Sequence, residues 1–428
     1  MNKYESYKQS RIGWINEVPS NWIEKQNKHI FIEKKEEVGL NWNNFQLLSL
    51  SKKGVIKRDI DNGKGKFPES FENYKKVECS DLIFCLYDIE ETPRSVGLSR
   101  FNGMITGSYK IYSCTENPKF VYYWYLTIDD FKGLKPFYTG MRNVVRPETF
   151  LSLKIYIPPS LEQDQIVYFL DEKTDLIDKL ISTKERKISL LKEQRSSIIN
   201  QVVTKGLNPN VKMKDSGVEW IGEIPEHWSL IKMKYKGDVI IGLSYSPENI
   251  VDEGEGTLVM RSSNVQNGKP SFLDNVYVNS NIPDKIRLRE GDILICSRNG
   301  SRNLIGKNCL ITKSEVGLTF GVFMTIYRTQ YYKFIYWLLN SPVFESQSGL
   351  FLTSTINQLT VSTLQNMVLP FVNDIEEQNE IIGYLNSKTK EIDDLVELEQ
   401  KKINLLKEYR QSLISEVVTG KIKVTTDE

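Results

Sequence analysis

Two stretches of the chain carry an apolar repeat of seven. In residues 170–204, Leu170, Ile177, Leu191 and Ile198 fall on one seven-residue series, and Ile181, Ile188 and Val202 on a second that sits four residues later. In residues 385–419 the matching positions are Leu385, Ile392, Leu406 and Leu413, with Val396, Ile403 and Val417. Two such series are the seams of a heptad, so each stretch is predicted to be a long helix paired with another long helix. Neither contains Gly or Pro, and 35 residues at 1.5 Å each make a rod of about 53 Å. The seams are interrupted at matching places: Thr174 and Thr389, Lys184 and Glu399, Arg195 and Arg410. Lys184 and Glu399 lie near the helix midpoints with opposite charges, which predicts a pair where the two helices cross. A parallel pairing aligns them too. Connectivity favours the antiparallel one, because the first helix carries the chain from one domain to the next and the second carries it back.

The two helical stretches are near copies, identical at 18 of 35 positions, where chance gives about two. A second repeat opens each half. KQSRIGWINEVPSNW at 8–22 lies over KDSGVEWIGEIPEHW at 214–228. Between these anchors the halves diverge, with strand-like runs at 45–50, 82–87 and 154–157, and at 257–260, 292–297 and 321–328. Asp61-Asn62-Gly63 and Gln266-Asn267-Gly268 read as turns, and residues 120–127 and 332–340 as one helix per half. The fold class is therefore α+β, with two variable domains separated by two long helices that form an antiparallel coiled coil with pseudo-twofold symmetry. The W-I-x-E-V/I-P-x-x-W segments are expected to be packing elements that begin each variable domain.

Composition narrows the chemistry. Lys and Arg number 56 against 55 Asp and Glu, so any binding of nucleic acid is local and not a matter of bulk charge. Five cysteines without a C-x-x-C spacing argue for a reducing cytosol and against a zinc module. Two histidines make a multi-His metal site or a Ser-His-Asp triad improbable. No apolar run reaches 18 residues and the first residues lack an apolar signal core, so a cytoplasmic chain is expected. No G-x-x-x-x-G-K-S/T loop, no dinucleotide fingerprint, no Asn/Asp-Pro-Pro-aromatic motif and no nuclease-like carboxylate spacing appears. Glu90-Glu91 beside Asp88 reads as a solvated loop.

What the variable halves do carry is polar, basic and aromatic loop material. In the first half these are Ser51, Lys52, Lys53, Tyr87, Arg94, Ser95, Arg142 and Asn143. In the second they are Arg261, Ser262 and Asn264; Arg298, Asn299, Ser301, Arg302 and Asn303; and Thr353, Ser354 and Asn357. Arg bridges guanine O6 and N7, Asn bridges adenine N6 and N7, and Ser, Thr and Lys hold phosphates. Residues 30–150 carry about +2 and 229–369 about +3, while 373–422 carry about −4. That partition suits DNA at the variable domains and protein at the rods.

Variable domains alternating with near-copy helical segments resemble the specificity subunit of type I restriction-modification systems. The likeness covers essentially the whole chain. It rests on the W-I-x-E-V/I-P-x-x-W segments, on I/L-P followed by E-Q-x-x-I (Pro158, Glu162-Gln163, Ile166; Pro370, Glu377-Gln378, Ile381), and on L-L-K-E-x-R running to V-V-T. The first half lacks a clear counterpart of Arg261-Ser262-Ser263-Asn264. The resemblance implies target-recognition domains at 1–160 and 207–372, helical spacers at 161–206 and 373–422, and a tail at 423–428. Each domain would read one half of a bipartite, asymmetric double-stranded DNA site. The paired helices would set the unread spacer and dock two methyltransferase subunits. Restriction subunits would join these. The chain itself would catalyse nothing and bind no cofactor or metal; S-adenosylmethionine, ATP and Mg would sit on the partner subunits. Two other classes fit the residues alone: a coiled-coil scaffold whose variable domains bind proteins, and a stand-alone DNA-modifying enzyme with an unrecognised site.

Overall fold

The computed structural model describes residues 3–59, 68, 70–89, 91, 92, 94–351 and 357–424. The chain divides into two compact units, Met1–Glu185 with Lys401–Glu428 (unit 1) and Arg186–Gln400 (unit 2). Each long helix contributes one part to each unit.

In unit 1, strands β1 (Phe31–Lys34), β2 (Leu82–Phe84), β3 (Val96–Leu98) and β4 (Lys110–Cys114) form an antiparallel sheet in the order β1-β4-β2-β3. The central β2 is buried throughout, which is why Leu-Ile-Phe reads as an unbroken apolar run. Helix α1 (Pro118–Asp130) starts at Asn117, whose side chain accepts the backbone N–H groups of Lys119 and Phe120, with Pro118 in the first turn. It buries Phe120, Tyr123 and Trp124. The strand Lys154–Ile157 then pairs with Ile23–Gln26 and leads into α2 (Ser160–Lys205).

Unit 2 repeats this plan. Strands β5 (Asp238–Ile241), β6 (Ile293–Cys296), β7 (Asn308–Leu310) and β8 (Met324–Arg328) stand in the matching order β5-β8-β6-β7. Helix α3 (Tyr332–Leu339) follows, then Val368–Phe371 paired with Ser229–Lys232, then α4 (Ile375–Val418). The Asn267-Gly268 turn has positive φ at both residues (51° and 72°) between Val265–Gln266 and Lys269–Pro270, the form this dipeptide favours. The Asp61-Asn62-Gly63 turn lies outside the described residues. The short helices Pro147–Ser152 and Val361–Asn366 occupy matching places in the two units, and neither shows in the apolar periodicity.

The two sequence anchors meet in space. Trp22 is fully buried and its indole donates to Glu162 at 2.9 Å; Trp228 does the same to Glu377 at 3.0 Å. The next residue of each E-Q-x-x-I motif is a buried glutamine. Gln163 donates to the Pro158 carbonyl (3.0 Å) and Gln378 to the Val372 carbonyl (2.7 Å), fixing the bend from strand to helix. A glycine with positive φ follows each helix, Gly206 (72°) and Gly420 (74°).

Along both helices the heptad seam is the shielded stripe. Leu170, Thr174, Ile177, Ile181 and Ile188 are buried in α2, as are Leu385, Thr389, Ile392, Glu399 and Ile403 in α4; Leu191, Ile198 and Leu406 are half-buried, and Leu413 is buried. Ion pairs join the two helices inside each unit. In unit 2, Lys187 meets Glu399 at 3.0 Å and Arg195 meets Asp393 at 2.9 Å, so contacts ascend one helix while descending the other. In unit 1, Arg410 meets Asp178 at 3.1 Å. Under the 215-residue offset of the helical repeat, Arg195 corresponds to Arg410 and Asp178 to Asp393, so one pair is used twice. Both aspartates are more than half exposed, and such pairs contribute about 0.2–1 kcal/mol each. A double-mutant cycle on Arg195 and Asp393 is expected to return a coupling in that range by urea titration; a coupling of several kcal/mol would mean the pair is desolvated.

Candidate nucleic-acid interface

The proposed binding residues of unit 2 converge where β6 ends. Cys296 and Ser297 are buried, and Arg298 is the first exposed residue beyond them. The backbone N–H groups of Ser297 and Arg298 both donate to the Phe323 carbonyl (3.1 and 3.0 Å), and the Leu359 N–H donates to the Ser297 carbonyl (2.8 Å). The Arg298 guanidinium lies 5.1 Å from the centre of the Phe323 ring. Asn299 donates its amide to the Ser262 hydroxyl (2.8 Å) and accepts from the Ser301 N–H (2.9 Å). Asn357 donates to the Gly300 carbonyl at 3.3 Å, and Arg261 pairs with Asp274 at 2.9 Å. Arg261, Ser262, Arg298, Asn299 and Asn357 thus line one cleft of about 830 Å³. Ser301, Arg302 and Asn303 are exposed beside it without lining it, and Arg302 reaches the Gly349 carbonyl at 3.3 Å. Thr353 and Ser354 lie outside the described residues.

Asn264 does not belong to this surface. It is fully buried, and its amide donates to the carbonyls of Ser271 (2.9 Å) and Asp274 (3.1 Å). A polar side chain is tolerated there because its amide is satisfied by the loop carbonyls around it. The cleft also uses Tyr245, Val322 and Phe323, which the sequence reading missed. Phe323 is 54% exposed. Its only signal in the sequence is an aromatic residue just ahead of the apolar strand β8.

In unit 1 the corresponding loop follows β2. The Val145 N–H donates to the Leu86 carbonyl (2.9 Å), as Leu359 does to Ser297 in unit 2. By this match Tyr87 stands where Arg298 stands, Asp88 where Asn299 stands, and Asn143 where Asn357 stands. The Arg142 guanidinium lies 5.2 Å from the Tyr87 ring and binds Asp88 through Nη2 (2.6 Å) and Nε (3.2 Å). The Asp88 carboxylate holds Arg142 protonated beyond its ordinary range, and burial pushes the Tyr87 hydroxyl up. Asn143 turns the chain here with φ of 46°. Lys52 and Lys53 form the exposed turn of the Leu48–Ser51 and Gly54–Lys57 hairpin, and Ser51, half-buried, ends its first strand.

Arg94 and Ser95 are internal ties and not surface contacts. Ser95 is buried and donates to Asp129 at 2.6 Å, while Arg94 binds Asp129 (3.2 Å) and Asp130 (2.6 Å) at the end of α1. The Arg94 charge and the Ser95 hydroxyl are spent on fastening the start of β3 to α1.

The described residues contain no group of three His, Cys, Asp or Glu side chains able to hold a metal ion. All five cysteines are free, and burial pushes the thiols of Cys85 and Cys296, which sit behind the two loops, upward. No described helix is long and apolar enough to cross a membrane.

Fold and sites together define a duplicated α+β protein that offers two equivalent loop clusters of different chemistry. The chain is 26% identical over 457 aligned positions to the putative type I restriction enzyme MjaX specificity subunit of Methanocaldococcus jannaschii, covering 99% of this chain and 98% of that one. It is 28% identical over 299 positions to the type I restriction enzyme MjaVIII specificity subunit of the same organism, covering 67% and 66%. A chain from a structure of complex assembly and conformational transition in the type I R-M system superposes with a TM-score of 0.71 at 14% identity, over 95% of this chain and 99% of that one. No family model matches. Over nearly its whole length the chain is thus similar to a type I restriction enzyme specificity subunit.

Proposed function

We propose that this chain is the DNA sequence-specificity subunit of a type I restriction-modification complex and carries out no catalysis itself. Each unit reads one half of a bipartite, asymmetric DNA site. The observation that carries this reading is one frame used twice with different side chains at its matching rim positions: Tyr87, Asp88 and Asn143 in unit 1 against Arg298, Asn299 and Asn357 in unit 2. A repeated frame gives two recognition surfaces of similar geometry, and unlike rims give two different half-sites.

α2 and α4 pair as an antiparallel coiled coil and set the spacer between the half-sites. The ion pairs of Lys187, Arg195 and Arg410 and the buried seam support this. Glu399, buried near the midpoint of α4, takes Lys187 as its partner; reversing one charge of that pair weakens the helix pair, and reversing both restores it. Two methyltransferase subunits dock on the outer faces of the helices, where Leu180 and Leu190 and their repeat counterparts Leu395 and Leu405 are each at least 42% exposed. Large apolar side chains left in water at matching places mark a surface that a partner covers. S-adenosylmethionine, and ATP with Mg where restriction subunits join, belong to those partners, and the assembly works in the cytoplasm.

The test is exchange of residues 30–150 for the same region of another such protein, followed by selection of bound duplexes. One half-site is expected to change while the other stays. Change in both, or in neither, would refute the division of labour. Binding to the selected site is expected to weaken steeply with salt yet to stay well above binding to bulk DNA.

A further inference from the structure

We infer that Arg298 fixes a guanine in the half-site read by unit 2, and that the residue at the position of Asn299 decides whether an arginine at this rim is free to read. The inference rests on the proposed DNA recognition and adds the base and the residue.

Arg298 springs from a fixed point. Its N–H and that of Ser297 are both bonded to the Phe323 carbonyl, and the strand behind it is wholly buried. The Phe323 ring lies under the guanidinium and keeps the plane from collapsing onto the protein. A guanidinium stacked on a ring still offers its edge N–H groups, and two parallel N–H groups match O6 and N7 of guanine. Among the described residues no carboxylate forms an ion pair with Arg298. The other arginine of the cleft, Arg261, is neutralised by Asp274.

The neighbour at position 299 explains why Arg298 stays available. Asn299 has no charge, and its amide is committed on both sides, to Ser262 and to the Ser301 N–H. The matching residue of unit 1 is Asp88, which clamps Arg142 through two of its nitrogens. An arginine held edge-on by a carboxylate has spent the donors that a guanine requires. The rim of unit 2 thus presents an arginine open to guanine, while the arginine that reaches the matching rim of unit 1 from a different position, Arg142, is closed by its carboxylate.

The experiment selects bound DNA from a pool of random-sequence duplexes with the full chain, purified with its methyltransferase partners, and sequences it. Wild type is expected to yield a bipartite consensus with a guanine in the half-site of unit 2. Arg298→Ala is expected to lose that guanine preference by about tenfold or more at one position, with every other position unchanged. Asn299→Asp places a carboxylate where Asp88 stands and is expected to weaken the same position, although Arg298 is still present. Asp88→Asn is expected to alter the other half-site alone. If Arg298→Ala keeps every guanine preference, or weakens all sequences equally as a lost phosphate contact would, the inference is overturned and the specificity reading survives. If wild type binds the pool without any consensus, the specificity reading itself falls.

Discussion

A chain with one extra heptad in each long helix is expected to recognise both half-sites unchanged, with a longer unread spacer between them. Seven residues add about 10.5 Å to a helix, so the spacer grows by at most about three base pairs. A heptad keeps the seam in phase: Ile177, Ile181 and Ile188, and Ile392 and Ile403, stay on the shielded stripe. Five added residues turn that stripe by roughly 140° and expose it. That second variant is therefore expected to lose stability and binding together, while the heptad variant keeps both. Sequencing of selected duplexes separates the outcomes. A heptad variant that changes the bases read, and not their separation, would show that the helices do not act as the ruler.

The helices were the most legible part of the chain because burial in a long helix leaves a periodic trace. Every apolar seam position named from the heptads is buried or half-buried. The repeat also exposed two motifs, a tryptophan near the start of each half and Glu-Gln at each helix start, whose connection no spacing reveals. A hydrogen bond across more than a hundred residues joins them. The interface was legible only as a set. Arg298, Asn299, Arg261, Ser262 and Asn357 do share a cleft, yet Asn264, Ser95 and Arg94 lie among the same residue types and turn inward. Polar residues in a turn look alike in one dimension whether they face DNA or satisfy a buried carbonyl. Phe323 shows the reverse error: an aromatic residue inside the strand-like run 321–328 reads as core, and here it stands in water under an arginine.

The four tryptophans of the repeated opening segments are expected to split sharply under substitution. Trp22 and Trp228 are essentially inaccessible, pack edge-on against Phe120 and Phe334 at the start of α1 and in α3, and spend their indole N–H on Glu162 and Glu377. Truncating either to Ala opens a large cavity and is expected to cost about 3–5 kcal/mol. Phenylalanine at these positions keeps most of the packing. Each glutamate also keeps a second donor, Tyr4 for Glu162 and His227 for Glu377. Trp22→Phe and Trp228→Phe are therefore expected to cost only about 1–2 kcal/mol. Trp220, by contrast, is 40% exposed, and Trp220→Ala is expected to fall within about 1 kcal/mol of wild type. Trp14 stands between the two cases, half-buried against Trp124 and Phe131. Urea titration of each variant, followed by circular dichroism, ranks them. Equal losses at Trp220 and Trp228 would mean that the segment acts as a uniform apolar patch, and not as a clasp closed by one indole on one carboxylate.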